Sequence, residues 1–208
     1  MGILDIFSKR KKRLNGNAEP LLHTAQPQYQ SVLQFNAEFA ELLSRDSFIA
    51  RSDYEHLISA YQEVYKFFCS IVKANILEDY VDKNHLNIAQ IETFINHYEE
   101  IQDLTQESAT LKKHNDQFVA NHIESEKEYL DNILKACDPA ILLDNEQREV
   151  VLSEEDHTLV IAGAGAGKTT TVAAKVRYLV EKRGIKPEQI LVISFTNKAV
   201  EEIGRAHV

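Results

Sequence analysis

Apolar residues recur every three or four positions along residues 28–137, and no glycine or proline interrupts them. That spacing puts them on one face of a helix, and the absence of both breakers lets helices run long. The pattern predicts a first helix from about Gln28 to Ser44, with Val32, Phe35, Phe39 and Leu42/Leu43 on its inner side. A second presents Leu57, Ile58, Tyr61, Val64, Tyr65, Phe68, Ile71, Val72 and Ile76. Ser52-Asp53-Tyr54-Glu55 reads as its capping box, Ser52 the cap and Glu55 reaching back. Asn87 caps a third, whose Ile88, Ile91, Ile95, Tyr98 and Ile101 share a face. A fourth stretch carries Phe118, Val119, Ile123, Leu130, Ile133, Leu134 and Cys137. Together they predict an all-α segment, either an antiparallel bundle or a helical hairpin, with its aromatic residues in the core.

The period changes after Asp138-Pro139, where proline disfavours helix at the residue before it. Leu142–Arg148 reads as a short helix through Val151, capped by Asp144 or Asn145. A short apolar run, Leu159-Val160-Ile161, then leads into glycines at every second position, Gly163, Gly165 and Gly167, followed by Lys168 and Thr169. The next helix is expected from about Lys168 to Lys182, with Val172, Val176, Leu179 and Val180 buried and Gly184 closing it. Pro187-Glu188-Gln189 is a turn. Ile190–Phe195 is nearly all apolar, as expected of a parallel strand covered on both faces. Strand, helix and strand make a βαβ unit. The expected fold is therefore α/β with an all-α N-terminal extension.

Strand, alternating glycines, Lys-Thr and helix are the layout of a phosphate-binding P-loop. Glycines let successive N–H groups converge on one anion, and the helix N-terminus adds partial positive charge. Lys168 is expected to reach the β- and γ-phosphates and the Thr169 hydroxyl to hold Mg²⁺. The strict pattern begins with glycine where this chain has Ala162. Upstream, the amide of Gln147 offers the donor and acceptor that an adenine edge requires. Downstream, Phe195-Thr196-Asn197-Lys198 follow the second strand, where open α/β sheets place ligand contacts. An aromatic face followed by small polar and basic groups suits a nucleic-acid strand.

Charge divides the chain into three. The net is +3 over residues 1–27, −11 over 28–138 and −1 over 139–208, within a total of −9 for 208 residues. The acidic middle would repel nucleic-acid phosphates. The basic Lys9–Arg13 cluster beside Ile3, Leu4, Ile6 and Phe7 is read either as a solvated tail or as a weak contact for an anionic membrane or nucleic acid. No apolar run is long enough for stable membrane insertion. Cys69 and Cys137, without metal-ligand spacing, fit a reducing cytoplasm and are expected to be buried. The expected organisation is a basic tail and linker over 1–27, an acidic helical extension over 28–138, and the start of a nucleotide-binding domain over 139–208.

Three stretches, Leu143–Arg148, Ala162–Thr170 and Ile193–Glu202, together resemble the start of the UvrD/Rep group of superfamily 1 DNA helicases. In that group a Leu-x-x-x-Gln segment reads adenine, A-G-A-G-x-G-K-T holds phosphates, and T-N-K-A after the next strand touches single-stranded DNA. The long leading extension is similar to the layout of helicase IV. The resemblance implies an incomplete RecA-like P-loop NTPase domain and ATP with Mg²⁺ as cofactors. It implies nucleotide contacts from Gln147 and from Ala162, Gly163, Ala164, Gly165, Ala166, Gly167, Lys168, Thr169 and Thr170, with Lys168 and Thr169 also catalytic and Thr169 on the metal. Phe195, Thr196, Asn197 and Lys198 would face DNA, single-stranded or partly duplex. The parent protein would be an ATP-driven translocase moving 3′ to 5′. Residues 28–138 are open to a protein partner; a nucleotide-dependent protein whose helical arm docks on something such as RNA polymerase is the alternative, and a P-loop NTPase of another kind is a third.

The family's carboxylate pair, arginine fingers and second motor domain have no counterpart in these residues, so phosphoryl transfer by this polypeptide is expected to be negligible. Ile203–Val208 can be encoded by a string resembling the start of a common sequencing adapter, so these residues are expected to be translated adapter and a natural frame is expected to continue past about Glu201. Two apolar strands and one helix cannot cover both faces of a sheet, so exposed apolar surface is expected.

Overall fold

The computed structural model describes residues 25–106, 108–194 and 196–205. Its helices are α1 (Ala25–Ser44), α2 (Arg51–Lys73), α3 (Leu77–Asn84), α4 (Ile88–Ile101), α5 (Ala109–Ser125), α6 (Lys127–Asn132), α7 (Asn145–Leu152), α8 (Lys168–Glu181) and α9 (Asn197–Arg205), with a 3₁₀ turn at Pro187–Gln189. The basic N-terminal cluster, Phe195 and the final residues 206–208 lie outside the described residues. The chain forms two compact units. One comprises residues up to Arg45 and Ile49–Lys112; the other comprises Asp46–Phe48 and the residues from Lys113 onward.

The first unit is a helical bundle of α1–α4, while the fourth predicted stretch, from Phe118 to Cys137, falls in the second unit instead of joining it. Its core takes Val32, Phe35 and Phe39 from α1, Leu57, Phe68 and Ile71 from α2, Tyr80 from α3, and Ile91, Phe94, Ile95 and Tyr98 from α4. Phe35 is its hub, with ring centroids 4.9 Å from Phe94 and 5.3 Å from Tyr61, both edge-on as aromatic quadrupoles prefer. Buried hydroxyls need partners, and Tyr98 Oη donates to the Ile58 carbonyl at 2.8 Å. Asn87 caps α4 as expected, its side chain accepting from the Ala89 N–H at 3.0 Å. The cap of α2 differs from expectation. The helix begins one residue before Ser52, and the Asp53 carboxylate reaches back to the Ala50 N–H at 2.8 Å. With Ala50 as the cap, Asp53 stands at the third helical position, from which a side chain reaches the cap N–H, and Glu55 lies two residues too far on.

The second unit gathers Leu130, Ile133 and Leu134 with Leu143, Val151, Leu152, Ala173, Ala174, Tyr178 and Ile203. Tyr129 Oη donates to Glu181 at 2.9 Å, and Lys182 bridges to Glu126 at 2.6 Å. Two expectations are corrected in this unit. Cys137 is exposed, while Cys69 is buried as expected. The inner face of α8 is turned, so that Ala173, Ala174, Val176 and Tyr178 are buried and Val172 is exposed. Helix α8 packs on both α7 and α9, and Ala173, Ala174 and Tyr178 share a core with Val151 and Leu152 of the one and Ile203 of the other.

No strand forms among the described residues, so the α/β layer is not present in them. Leu159 and Ile161 are 84% and 88% exposed, and Leu191 and Ile193 are each 84% exposed. A strand exists through its neighbours. Two isolated runs joined by one helix satisfy at most one edge each, and a lone strand pair is marginal in water. The exposed apolar surface expected from the sequence is present.

Candidate nucleotide-binding site

The site is built from two helix starts and one loop. At the first, Asp144 caps α7 by accepting from the Gln147 N–H at 2.8 Å, and Gln147 Oε1 accepts from the Asp144 N–H at 3.0 Å. This reciprocal capping box fixes the Gln147 side chain at the head of α7. The other end of the same amide, Nε2, donates to the Ala166 carbonyl at 3.3 Å. The sequence-predicted adenine reader is thus in contact with the sequence-predicted phosphate loop.

The loop turns tightly at its glycines. Gly165 and Gly167 have φ of +80° and +75°, a region that costs an L side chain about 1–2 kcal/mol. Gly167 also lies under the Gln147 amide, so a Cβ there would sit 2.6 Å from Nε2. Lys168 opens α8 and folds back over the loop, its amine donating to the carbonyls of Ala162 at 2.8 Å and Gly163 at 2.5 Å. Thr171 ties the first turn to the loop, its hydroxyl donating to the Gly167 carbonyl at 3.0 Å. Thr169 and Thr170 are half-buried in that same turn. An apolar cleft of about 270 Å³ is lined by Val150, Val160, Val172 and Val176 together with Lys168 and Lys175.

The donor set fits an anion. The first-turn N–H groups of a helix lack intrahelical partners, and here they follow a backbone bent by two left-handed glycines with an ammonium alongside. The fit to a divalent cation is limited to the Thr169 hydroxyl, because no three His, Cys, Asp or Glu side chains gather among the described residues. Such a site needs the ligand's own phosphate oxygens to complete the coordination of Mg²⁺.

The predicted DNA-facing residues divide. Thr196 and Asn197 are exposed at the head of α9. The Thr196 hydroxyl is already used as a cap, accepting from the Ala199 N–H at 3.2 Å. Lys198 lies in α9, and Phe195 is outside the described residues. Among the described residues no hydrogen bond ties this group to the loop.

Two basic residues were missed. Arg148 is buried, its Nε donating to the Leu143 carbonyl at 3.0 Å and its Nη2 meeting Asp131 at 2.5 Å. Lys175 donates to the carbonyls of Val151, at 2.8 Å, and Ser153. The signal for Lys175 was its spacing: it stands seven residues after Lys168, so both occupy one face of α8. Burial pulls its ammonium down to about 8. Arg183 adds to that fall, and Glu154 opposes it.

Residues 143–206 match the family model of the UvrD/REP helicase N-terminal domain. Over 62 residues the chain is 45% identical to the probable DNA helicase II homolog of Mycoplasma capricolum subsp. capricolum, covering 30% of this chain and 9% of that protein. Over 61 residues it is 46% identical to the ATP-dependent DNA helicase UvrD1 of Mycobacterium leprae, covering 29% and 8%. Over 61 residues it is 41% identical to the ATP-dependent DNA helicase PcrA of Staphylococcus epidermidis, again covering 29% and 8%. The chain therefore spans less than a tenth of the length of the curated relatives it matches. No solved structure matches it significantly. The Gln147 contact, the glycine loop and the Lys-Thr helix start all fall inside the stretch that matches the UvrD/REP helicase N-terminal domain model.

Proposed function

We propose that this chain is the N-terminal part of an ATP-dependent DNA helicase and that its glycine loop binds the triphosphate of ATP. The observation that carries the reading is the Gln147 amide seated on Ala166 at 3.3 Å, at the rim of a loop whose Lys168 ammonium already caps two backbone carbonyls. Lys168 would hold the β- and γ-phosphate oxygens in place of those carbonyls, and the Thr169 hydroxyl would be this chain's ligand to Mg²⁺, whose charge would offset that of the phosphates. Gln147 exchanges Ala166 for the adenine edge, keeping Asp144 as the partner that holds its orientation. The runs 159–161 and 190–195 become two strands of a RecA-like sheet once further strands flank them. Phe195, Thr196, Asn197 and Lys198 then meet single-stranded DNA, with 3′ to 5′ translocation a property of the whole motor.

Fluorescent-nucleotide titration of the 208-residue chain tests this. Wild type should bind ATP with Mg²⁺, Lys168→Ala should lose at least about tenfold in affinity, and Gln147→Ala should lose the preference for ATP over GTP. Equal affinity of wild type and Lys168→Ala would sink the reading. Turnover in a phosphate-release assay should stay at background, since no acidic cluster accompanies the loop among the described residues.

A further inference from the structure

We propose that Lys175 is a positioning residue for base recognition, fastening the C-terminal end of α7 to α8 and so holding Gln147 over the loop. The inference rests on the nucleotide-site reading above for its functional half only. Helix α7 has eight residues, too short to be stable by itself in water. Its position must come from what grips it. At its head the grip is the capping box and Arg148, which reaches the Leu143 carbonyl and Asp131. At its tail the last carbonyls have no intrahelical partner. The Ser153 N–H closes one of them by donating to Glu149 at 2.8 Å. The Lys175 amine takes the carbonyls of Val151 and Ser153. A cation is the charge that the negative end of a helix favours.

The leverage lies in where the lysine comes from. Lys175 and Lys168 are two turns apart on one face of α8, and both line the same cleft. Lys168 grips the loop that Gln147 touches, and Lys175 grips the helix that carries Gln147. One rigid helix therefore sets both halves of the site. Glu154 and Arg183, joined at 2.6 Å beyond the end of α7, and Tyr178, whose ring centroid is 5.7 Å from the amine, are the charged and titratable groups around Lys175. None of them replaces its two hydrogen bonds.

The test compares wild type, Lys175→Met, Lys175→Arg and Gln147→Ala in the full chain. Amide exchange over residues 145–153 is measured without nucleotide, and affinities for ATP and GTP are measured with Mg²⁺. Lys175→Met should speed exchange in the last turn of α7 by about tenfold or more. It should also lower the ATP-to-GTP affinity ratio as far as Gln147→Ala does, with GTP affinity changed less than about threefold. Lys175→Arg, which keeps the donors, should restore both. If Lys175→Met does not fold, Lys175→Gln is read the same way. Wild-type exchange in α7, or equal weakening of both nucleotides, overturns the proposal. A wild-type chain that binds neither nucleotide defeats the nucleotide reading instead, and the exchange rates then decide the fastening by themselves.

Discussion

Gly167 shows how much one position can be asked to do. Its φ of +75° belongs to glycine, and the Gln147 amide occupies the space where a Cβ would point. Gly167→Ala therefore combines backbone strain of about 1–2 kcal/mol with displacement of the Gln147 side chain. Urea denaturation should register the strain as a lower midpoint, and ATP affinity should fall together with the preference over GTP. Gly163, with nothing within 4 Å of its virtual Cβ and no positive φ, is the control, and its Ala variant should keep wild-type stability. Lys175 gives a second residue-scale expectation, in pH. Its pKa in the fold, about 8, is below the ordinary lysine value, so between those two values the unfolded chain holds more protons than the native one. Stability then rises with pH across that window. The Cys69 thiol, raised by burial, opposes this over the same range, so the expected readout is the difference: from about pH 8 to 10 wild type should gain stability relative to Lys175→Met. Above that, Tyr129 and Tyr178, both raised chiefly by burial, push the other way, because the native state then keeps protons the unfolded one has lost.

At the scale of elements, α7 is the piece most dependent on its ties. Arg148 is buried with Asp131 as its charged partner. Removing one member of such a pair leaves a buried charge with only the Leu143 carbonyl for company. Asp131→Ala should cost about 2–3 kcal/mol, below the fully buried case because Asp131 is partly exposed. Calorimetry of the variant would register that loss, and Asp131→Asn, which keeps an acceptor, should recover part of it. The helices of the first unit depend less on single ties. Periodicity, the Asn87 cap and the aromatic hub at Phe35 point to the same packing.

At the scale of the molecule, the exposed apolar runs dominate the behaviour in solution. Leu159, Ile161, Leu191 and Ile193 present β-prone edges to water, which invites strand addition from another chain. Replacing Leu159 and Leu191 with Lys should suppress self-association in light scattering at high protein concentration. The helical content by circular dichroism should stay unchanged, because none of these side chains belongs to either core.

What the sequence determined by itself is whatever depends on neighbours along the chain. The spacing of Val32, Phe35 and Phe39, the caps at Asn87 and Asp144, and the glycine loop running into Lys168 are local patterns, and they are found where they were expected. The caps and turns obey hydrogen-bonding geometry over a few residues, which needs no knowledge of the fold. Tertiary structure decided the rest. The two helices packed on α8 chose Ala173, Ala174 and Tyr178 as its buried face over Val172. Strand formation depends on partners that sequence pattern cannot supply, so two strand-like runs remain unpaired among the described residues. Lys175 reads as one more surface lysine until α7 brings the Val151 and Ser153 carbonyls to it, because the meaning of a charge is set by what approaches it in space.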